Sequence, residues 1–333
     1  MASVVLVTGV ASEPGVALAL DLAERPGVER VIGVDVVPPR RSLAPAEFIR
    51  ADVRGTSLSR LLDAYEVDTV VHAGVLTGPS RAGGRTAQKE INVIGTMQLL
   101  AACQRAERLT KLIVRSSTAV YGLSPRNPAV FTEDEPPRSP PGSGFAKDVV
   151  EVEGYTRGFA RRRPDVTVTT LRLAYLLGDD SALGRYLTLP VVPTILGYDP
   201  RLQLLHLDDA VEALGRATVE EHPGTFNVAG DGVVTVSQAA HLAGRPTVPV
   251  FWPAVGGVAR ALRRARIVDI NPELAATIMH AHVADTSRMR AEFGWLPSRS
   301  TRQALADHVA GAGLEPTVPV SLLLDRAEEV LRA

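Results

Sequence analysis

Three small residues at regular spacing form the most informative motif in the sequence. Gly9, Ser12 and Gly15 lie between a short run of β-branched residues and a segment with the pattern of a helix. In a dinucleotide site the first residue makes a tight turn, the second lets the backbone approach a pyrophosphate, and the third lets helix and strand pack closely. The pyrophosphate then binds amides at the helix N-terminus, where the helix dipole favours negative charge. The spacing therefore predicts a dinucleotide site.

An acidic residue follows at the distance that such a site requires. Asp35 lies 20 residues after Gly15, at the end of the second predicted strand. A carboxylate there can accept hydrogen bonds from the adenosine ribose hydroxyls, and it would repel the additional phosphate of NADP. Arg40 and Arg41 are close enough in sequence to bind that phosphate if the loop folds back. The sequence therefore favours NAD as the cofactor, with NADP as the alternative.

The elements that position these residues alternate between strand and helix. Short apolar runs predict strands at 4–8, 31–34, 48–49, 69–71, 111–114 and 166–173. The segments between them include predicted helices at 15–24, 58–64, 91–105 and 145–163. Continuous apolar strands that alternate with helices indicate an α/β fold with a doubly wound parallel sheet, the Rossmann arrangement.

The alternation becomes irregular after Gly178, where prolines divide the chain into short pieces. This change predicts a dinucleotide-binding Rossmann domain over residues 1–177 and a smaller C-terminal substrate domain over 178–333. Segments around 203–230 are expected to return to the first domain. The smaller domain would lie over the carboxyl ends of the strands, where open α/β sheets bind ligands.

The composition narrows the class of protein. The chain has 333 residues, of which 45% are hydrophobic and 22% charged, and its formal net charge is −1 at pH 7. A nucleic-acid binder usually carries a basic excess, so no nucleic-acid partner is expected. The single cysteine, Cys103, excludes an internal disulfide, and the lack of clustered Cys and His argues against a metal site. No apolar run reaches the ~18 residues that span a bilayer and no signal peptide is recognised, so we expect a cytoplasmic protein.

Further short motifs occur in order along most of the chain. They are Thr8-Gly9-x-x-Ser12-x-x-Gly15, Asp52-Val53, His72-Ala73-Gly74, Asn92-Val93-Ile94-Gly95-Thr96, Ser116-Ser117-Thr118-Ala119-Val120-Tyr121-Gly122, Leu171-Arg172-Leu173, His206-Leu207-Asp208-Asp209, Phe226-Asn227-Val228-Ala229-Gly230 and Phe293-Gly294-Trp295-Leu296-Pro297. In type and order they resemble the extended short-chain dehydrogenase/reductase family, which contains the NAD-dependent sugar-nucleotide epimerases and dehydratases.

The resemblance implies an enzyme of the epimerase/dehydratase type that acts on a sugar nucleotide or a related hydroxylated metabolite. It implies that Asp52 and Val53 flank the adenine of the cofactor. It also implies that Ala73 contacts the ribose side and that Asn92 steadies the central helix. Family members commonly form homodimers through two helices, which correspond here to the helices predicted before and after the fifth strand.

Ser12 stands where the family has glycine. Its Cβ and hydroxyl must fit beside the pyrophosphate, to which the hydroxyl can donate a hydrogen bond or which it can hold away. Glu13 adds a carboxylate near a phosphate, which is unfavourable unless the side chain points outward. We expect dinucleotide binding to be weakened and not abolished.

The Tyr-x-x-x-Lys pair of the family is missing. In the family the lysine lowers the pKa of the tyrosine, which removes the proton of the reacting hydroxyl. One alignment places Phe145 and Val149 at the two positions; the other keeps Lys147 as the lysine, with its cofactor contact, and places Ser143 at the tyrosine. Phenylalanine cannot accept a proton, and an unassisted serine is too weak an acid. Because a positioned general base typically contributes ~10²–10⁴-fold in rate, an ordinary epimerase would be impaired unless another group serves.

Four residues are the catalytic candidates. Ser117 stands where the family's serine or threonine hydrogen-bonds the reacting hydroxyl. Tyr121, Lys147 and Tyr175 are the groups that could replace the missing base. Each has another interpretation: Tyr121 as a packed family residue, Lys147 as a solvated helix lysine, and Tyr175 as a substrate contact at the mouth of the cleft.

Three functions stay open at this point. The first is an NAD-dependent enzyme of the epimerase/dehydratase type, favoured by the near-complete set of motifs. The second is a catalytically silent sensor or scaffold that binds a dinucleotide or metabolite, suggested by the missing Tyr-x-x-x-Lys pair. The third is a non-redox lyase or isomerase that uses the same cleft. One fold hosts many chemistries, so the fold alone does not decide among them.

Overall fold

The computed structural model describes residues 3–78, 82–136, 140–178, 181–264 and 271–313. The strands are β1 (Ser3–Thr8), β2 (Val28–Asp35), β3 (Glu47–Arg50), β4 (Thr69–His72), β5 (Lys111–Ser117), β6 (Val130–Phe131), β7 (Thr167–Leu173), β8 (Tyr175–Leu176), β9 (Val192–Ile195), β10 (Arg201–Leu202), β11 (Leu204–Leu205), β12 (Gly224–Val228), β13 (Val234–Thr235), β14 (Thr247–Val250) and β15 (Val283–Ala284). The α-helices are α1 (Gly15–Glu24), α2 (Ser57–Ala64), α3 (Arg85–Lys89), α4 (Thr96–Arg105), α5 (Gly144–Arg162), α6 (Ala182–Leu187), α7 (Leu207–Val219), α8 (Val236–Leu242), α9 (Trp252–Arg264), α10 (Pro272–His280) and α11 (Thr301–Gly311).

The central sheet has seven parallel strands in the order β12-β7-β5-β4-β1-β2-β3. The chain builds outward from β1 to β2 and β3, and then continues on the other side of β1 with β4. Thr8, at the end of β1, therefore has Val34 as its neighbour on one side and His72 on the other. This is the topological switch point at which open α/β sheets bind ligands. The predicted doubly wound Rossmann sheet is confirmed.

Both faces of the sheet are covered, as β1 illustrates. Val5 and Val7 belong to a hydrophobic core that includes α1 and α7, whereas Leu6 belongs to another core with α2, α4 and α5. Successive side chains of a strand point to opposite faces, so a strand buried on both sides is a continuous apolar run. This explains why the predicted strands lack polar alternation.

A third hydrophobic core lies in the C-terminal half and contains residues of α6, α8, α10 and α11. Short strands pair around it: β9 with β14, β8 with β11 and β10 with β13. β12 comes from this half of the sequence but pairs with β7 in the main sheet. Residues 314–333 of the predicted substrate domain lie outside the described residues.

Three properties of the described residues bear on function. None of their helices is long and apolar enough to cross a membrane. They contain no group of three or more His, Cys, Asp or Glu residues arranged to hold a metal ion. Cys103 is buried, and burial raises the pKa of its thiol to about 12, so this thiol is not a reactive group.

Candidate functional site

A cavity of about 710 Å³ lies at the carboxyl edge of the sheet. Its walls come from segments far apart in the sequence: Ser12 and Glu13 before α1, Ala73 after β4, Ser117 on β5, Tyr175 on β8 and Glu273 on α10. The cavity therefore joins the predicted dinucleotide loop to the predicted reactive serine, and the third core supplies its outer wall.

The glycine loop has the close packing that a dinucleotide site requires. Gly9 has a φ of 81°, and a Cβ built on it would lie 2.7 Å from the backbone nitrogen of Gly74. A Cβ built on Gly15 would lie 2.8 Å from the carbonyl carbon of Gly9. Neither position can hold a side chain, because real Cβ contacts are longer. The loop thus brings its backbone and the start of α1 against the end of β1.

The negative charge of Glu13 is compensated by neighbouring groups. Its Oε1 accepts a hydrogen bond from Nη2 of Arg41 at 3.0 Å, and its Oε2 accepts one from the amide of Ala17 in the first turn of α1 at 3.2 Å. The helix N-terminus and Arg41 therefore balance the carboxylate that stands beside Ser12. Arg41 is engaged in this contact, which reduces its value as a ligand for an NADP phosphate.

Asp35 is fixed at the end of β2 by two backbone amides. Its Oδ2 accepts from the amide of Ala11 at 3.0 Å and its Oδ1 from the amide of Val36 at 2.7 Å. The first of these contacts attaches the carboxylate to the glycine loop, and lone pairs are left on both oxygens for ribose hydroxyls. The closely packed glycine loop and the fixed carboxylate of Asp35 together fit NAD. The negative charge of Asp35 opposes the additional phosphate of NADP.

The residues expected around the adenine lie just after β3. Arg54 donates from Nε and Nη2 to the carboxylate of Asp52 over 2.7–3.1 Å, and these hydrogen bonds lower the pKa of Asp52. Val53 packs beside Gly95, where a Cβ would lie 2.7 Å from Cγ2 of Val53. Asp52, Val53 and Asp35 do not line the cavity itself, whereas Ser12 and Ala73 do.

Asn92 connects the loop after β4 with α5. Its Oδ1 accepts from the amide of Leu76 at 2.8 Å, and its Nδ2 donates to the carbonyl of Leu76 at 2.9 Å and to Asp148 at 3.3 Å. Asn92 lies in a π-helical turn, Glu90–Gly95, between α3 and α4. The helix predicted at 91–105 is present, but helical structure already begins at Arg85 and the predicted start is π-helical. The π-helical turn occurs where the Asn92 side chain bonds the loop, as such turns often do at functional sites.

Ser117 ends β5 at the cavity. Its Oγ accepts a hydrogen bond from the amide of Ala119 at 3.2 Å, which fixes the side chain at the start of a 3-10 turn. The hydroxyl hydrogen is not used in that contact. Ser116 points to the other side of the strand and donates to Glu153 at 2.6 Å, which in turn pairs with the buried Arg172. Ser117 is therefore positioned to donate to a ligand.

The side chains of α5 bring no proton-transfer group into the cavity. Phe145 lines it and Val149 lies completely buried behind the first turn. Lys147 is half-buried and is not among the lining residues, because it is two residues from Phe145 and on a different face of the helix. The structure does not bring Lys147 together with Ser117.

Tyr121 lies in a core beside the cavity. Its ring stacks on Phe131 with centroids 4.4 Å apart, and its hydroxyl donates to Oδ1 of Asn227 at 2.7 Å. Nη1 of Arg172 donates to the same hydroxyl at 2.9 Å. Burial raises the pKa of Tyr121. The side chain does not line the cavity, and its hydrogen bonds are those of a packed residue.

Tyr175 and Glu273 both line the cavity. Burial raises the pKa of Tyr175 to about 12. Glu273 was not predicted from the sequence: its Oε2 accepts from the amide of Phe145 at 3.3 Å, and burial raises its pKa. Asn271 and Pro272 indicate the start of a helix at this point, but they do not indicate which distant segment it faces. Glu273 is thus an ionisable group beside the first turn of α5.

Arg115 is the second lining residue that the sequence did not predict. It lies on β5 and is only 9% exposed. Its Nη1 donates to the carbonyl of Val75 at 2.8 Å and to the carbonyl of Ala73 at 3.3 Å. A charged guanidinium therefore forms part of the cavity wall close to Ser117.

The chain is similar to known proteins over most of its length. The model of the NAD dependent epimerase/dehydratase family matches residues 5–229. Rv0501 of Mycobacterium tuberculosis strain H37Rv is 46% identical over 321 residues, which cover 95% of this chain and 85% of that protein. A UDP-glucose 4-epimerase of Mycolicibacterium smegmatis is 27% identical over 282 residues, which cover 79% of this chain and 82% of that protein.

Solved structures show the same fold. The UDP-glucose 4-epimerase of Thermotoga maritima with UDP-glucose gives a TM-score of 0.72 at 20% identity and covers 92% of this chain and 97% of its own. MoeE5 in complex with UDP-glucuronic acid and NAD gives 0.71 at 23% identity and covers 94% of this chain and 100% of its own. These identities are low, so the likeness concerns the architecture.

Proposed function

The chain belongs to the NAD-dependent epimerase/dehydratase family, and we propose that it binds NAD and transforms a sugar nucleotide or related hydroxylated metabolite with an altered set of catalytic side chains. The observation that carries the proposal is the single cavity that reaches from Ser12 to Ser117 and Glu273. Cofactor loop and reaction residues then act on one bound substrate. The relative from Mycolicibacterium smegmatis, a UDP-glucose 4-epimerase, supports the substrate class.

In this proposal the glycine loop and Asp35 hold the dinucleotide. The loop offers backbone at Gly9 and Gly15 where no side chain fits, and Asp35 offers two carboxylate oxygens to ribose hydroxyls. Asp52, Val53, Ala73 and Asn92 form the rest of the cofactor site. NAD, when bound, supplies a hydride acceptor for oxidation of a substrate hydroxyl. Solved neighbours such as MoeE5, crystallised with NAD, support this cofactor.

Ser117 and Glu273 then take over part of the role of the family's Tyr-x-x-x-Lys pair. Ser117, oriented by the amide of Ala119, donates its hydroxyl hydrogen to the oxygen of the reacting group. Glu273 in its ionised form accepts the proton of that group. Because burial raises its pKa, the carboxylate is a stronger base than a solvated one. Tyr175, which also lines the cavity, contacts the substrate.

Tyr121 and Lys147 are left out of the catalytic set. The hydroxyl of Tyr121 is occupied by Asn227 and Arg172, and its ring is packed on Phe131. Lys147 does not line the cavity. Its cofactor contact stays a prediction.

A turnover experiment tests the proposal. Protein saturated with NAD is incubated with UDP-glucose, and reduced-nicotinamide absorbance and product sugars are followed together. We expect slow turnover that falls at least about tenfold in Ser117→Ala, because a hydrogen bond to the reacting group is lost. Ser59→Ala, on α2 away from the cavity, is the matched control. Turnover that survives Ser117→Ala unchanged would show that the site is wrongly assigned.

A second candidate is a catalytically silent protein that senses dinucleotide or metabolite occupancy. The observation that favours it is that Phe145 and Val149, which one alignment places at the two positions of the family's Tyr-x-x-x-Lys motif, are both apolar and buried. NAD binding without turnover of any sugar nucleotide would support this candidate over the enzyme.

The proposal also includes a homodimer. Ile94 before α4, Met97 on α4 and Tyr155 on α5 are 40%, 37% and 38% exposed although they are apolar or aromatic. Met97 and Tyr155 line one shallow groove between these two helices. A second copy of the chain can cover this surface with the same residues, as two-fold symmetry requires.

A further inference from the structure

The guanidinium of Arg115 has more hydrogen-bond donors than the protein uses. Both contacts are made by Nη1, to the carbonyls of Val75 and Ala73 in the loop after β4. An arginine carries five N–H donors, so Nε and Nη2 keep three without an acceptor among the described residues. Because Arg115 lines the cavity, a ligand bound there can accept hydrogen bonds from these donors.

The charge of Arg115 also lacks a counter-charge. Among the residues that the structure describes, no carboxylate forms an ion pair with it, and burial alone lowers its pKa to about 10. Arg172 on the neighbouring strand β7 shows the contrast: it is equally buried, and it forms a two-point contact with Glu153 at 2.9 and 2.7 Å. Buried charges in proteins are usually paired, so the unpaired guanidinium in a cavity indicates an anionic ligand.

A purely structural role explains only part of these observations. Arg115 does tie down the loop after β4, but a neutral amide side chain could donate to the same two carbonyls. It would do so without the desolvation cost of a charge. The structural role therefore accounts for Nη1 and leaves the charge and the other donors unexplained.

The position of Arg115 distinguishes between the pyrophosphate of the cofactor and an anionic group near the reacting hydroxyl of the substrate. Arg115 and Ser117 lie on the same face of β5, about 7 Å apart along the strand. The glycine loop that would take the cofactor pyrophosphate follows β1, which is two strands and about 10 Å away from β5. A group that contacts Arg115 is therefore close to the reacting hydroxyl at Ser117 and remote from the pyrophosphate loop.

We propose that Arg115 binds a carboxylate on the sugar ring of the substrate, so that the substrate class is a sugar nucleotide with an acidic sugar. This inference rests on the proposed function, since it assigns the substrate of the same cavity. Arg–carboxylate contacts through two parallel N–H groups are geometrically specific, and the unused Nε and Nη2 of Arg115 provide such a fork.

Calorimetric titration with two ligands that differ at one group tests the inference. UDP-glucuronic acid carries a carboxylate where UDP-glucose carries a hydroxymethyl group. For the NAD-loaded wild type we expect UDP-glucuronic acid to bind about 10- to 100-fold more tightly, the range of a hydrogen-bonded charged group. The ratio should fall to near one in Arg115→Gln, which keeps a donor for the loop carbonyls, and in Arg115→Met.

The controls make each outcome decisive. Arg185→Met removes another arginine of the cavity wall and should keep the wild-type ratio. Thermal unfolding shows whether each variant is folded, and at least one of the two Arg115 variants has to be. Equal affinity of the wild type for both ligands, or a preference that survives in a folded Arg115 variant or disappears in Arg185→Met, would overturn the inference.

Two further results would show whether Arg115 serves the cofactor instead, or whether the proposed substrate class itself is wrong. If the Arg115 variants lose affinity for NAD while the sugar preference stays, the guanidinium serves a cofactor phosphate and the inference is wrong. If the wild type binds neither sugar nucleotide, the proposed substrate class fails and the inference fails with it.

Discussion

At the first turn of α5, the backbone amide of Phe145 donates to a carboxyl group that follows 128 residues later in the sequence. Glu273 thereby stands next to Phe145, one of the two residues that can be aligned with the family's tyrosine. A buried carboxyl group at a helix N-terminus experiences two opposite effects, since burial raises its pKa and helix amides lower it. Burial is the larger effect for Glu273. The group is therefore suited to exchange a proton at the cavity.

The first prediction concerns this carboxylate. Glu273→Gln should lower kcat by about 10²- to 10⁴-fold, because the amide cannot accept the substrate proton. In the wild type, activity should rise with pH through a pKa above the ordinary carboxyl value of 4.5, since the ionised form is the base. The variant should lack this limb in its pH–rate profile. Glu107→Gln, an exposed glutamate, is the control, and an unchanged profile in Glu273→Gln would rule out the role.

The second prediction concerns restoration of the family's pair. Phe145→Tyr places a hydroxyl at the cavity wall and should leave stability within about 1 kcal/mol. Val149→Lys places an ammonium at a completely buried position and should destabilise the fold by about 3 kcal/mol or more. Denaturant unfolding of each single variant measures both effects. A Val149→Lys protein as stable as the wild type would contradict this prediction and show that the site tolerates the family's lysine.

At the scale of elements, the loop between β1 and α1 depends on backbone packing. Gly9 combines a positive φ with close contact to Gly74, whereas Gly27 has a similar φ of 88° with no atom near its absent Cβ. Substitution of Gly27 therefore tests backbone strain alone, whereas substitution of Gly9 tests backbone strain together with a steric clash. Strain alone is worth about 1–2 kcal/mol for a residue with a Cβ.

The third prediction uses this pair. Gly27→Ala should reduce the free energy of unfolding by about 1–2 kcal/mol and keep NAD affinity. Gly9→Ala should reduce the free energy further and abolish NAD binding, because the loop must move to admit the methyl group. Calorimetry with NAD and thermal unfolding of both variants provide the comparison. Equal NAD affinity in the two variants would mean that the loop is not the pyrophosphate site.

The strand and loop elements were predictable because their signals are local. The glycine spacing, Asp35 and the serine at the end of β5 each lie at or directly after the end of a predicted strand, and the sheet places them by its topology. Glu273 and Arg115 were not predictable in the same way. Their roles depend on which distant segments share the cavity, and the packing of the third core against the sheet determines that. The helical pattern of 91–105 does not distinguish a π-helical turn from an α-helical one, so the π-helical turn at Asn92, whose side chain bonds Leu76, was missed.

At the scale of the whole molecule, the helices on one side of the sheet leave an apolar surface uncovered. Met97 and Tyr155 are the partly exposed residues at its centre, and neither is needed to line the cavity. A charge on this surface would be desolvated in a dimer and hydrated in a monomer, so it discriminates between the two states.

The fourth prediction is that Met97→Glu makes the protein monomeric. Light scattering on a size-exclusion column should give twice the chain mass for the wild type and one chain mass for the variant. Val233→Glu, at a similarly exposed apolar position in the C-terminal half, should stay dimeric. A wild type that elutes as a monomer at all concentrations would contradict the proposed homodimer.

Every role proposed for the cavity depends on NAD binding at the loop that contains Ser12. The most direct measurement has two steps. Freshly purified protein is denatured and any released nucleotide is identified; nucleotide-free protein is then titrated with NAD and with NADP by calorimetry. We expect NAD to be released or to bind on titration, and NADP to bind much more weakly, because Asp35 opposes the additional phosphate and Arg41 is paired with Glu13. If neither dinucleotide binds, the serine and glutamate of the loop have closed the site to the cofactor, and the assignment of the loop is wrong.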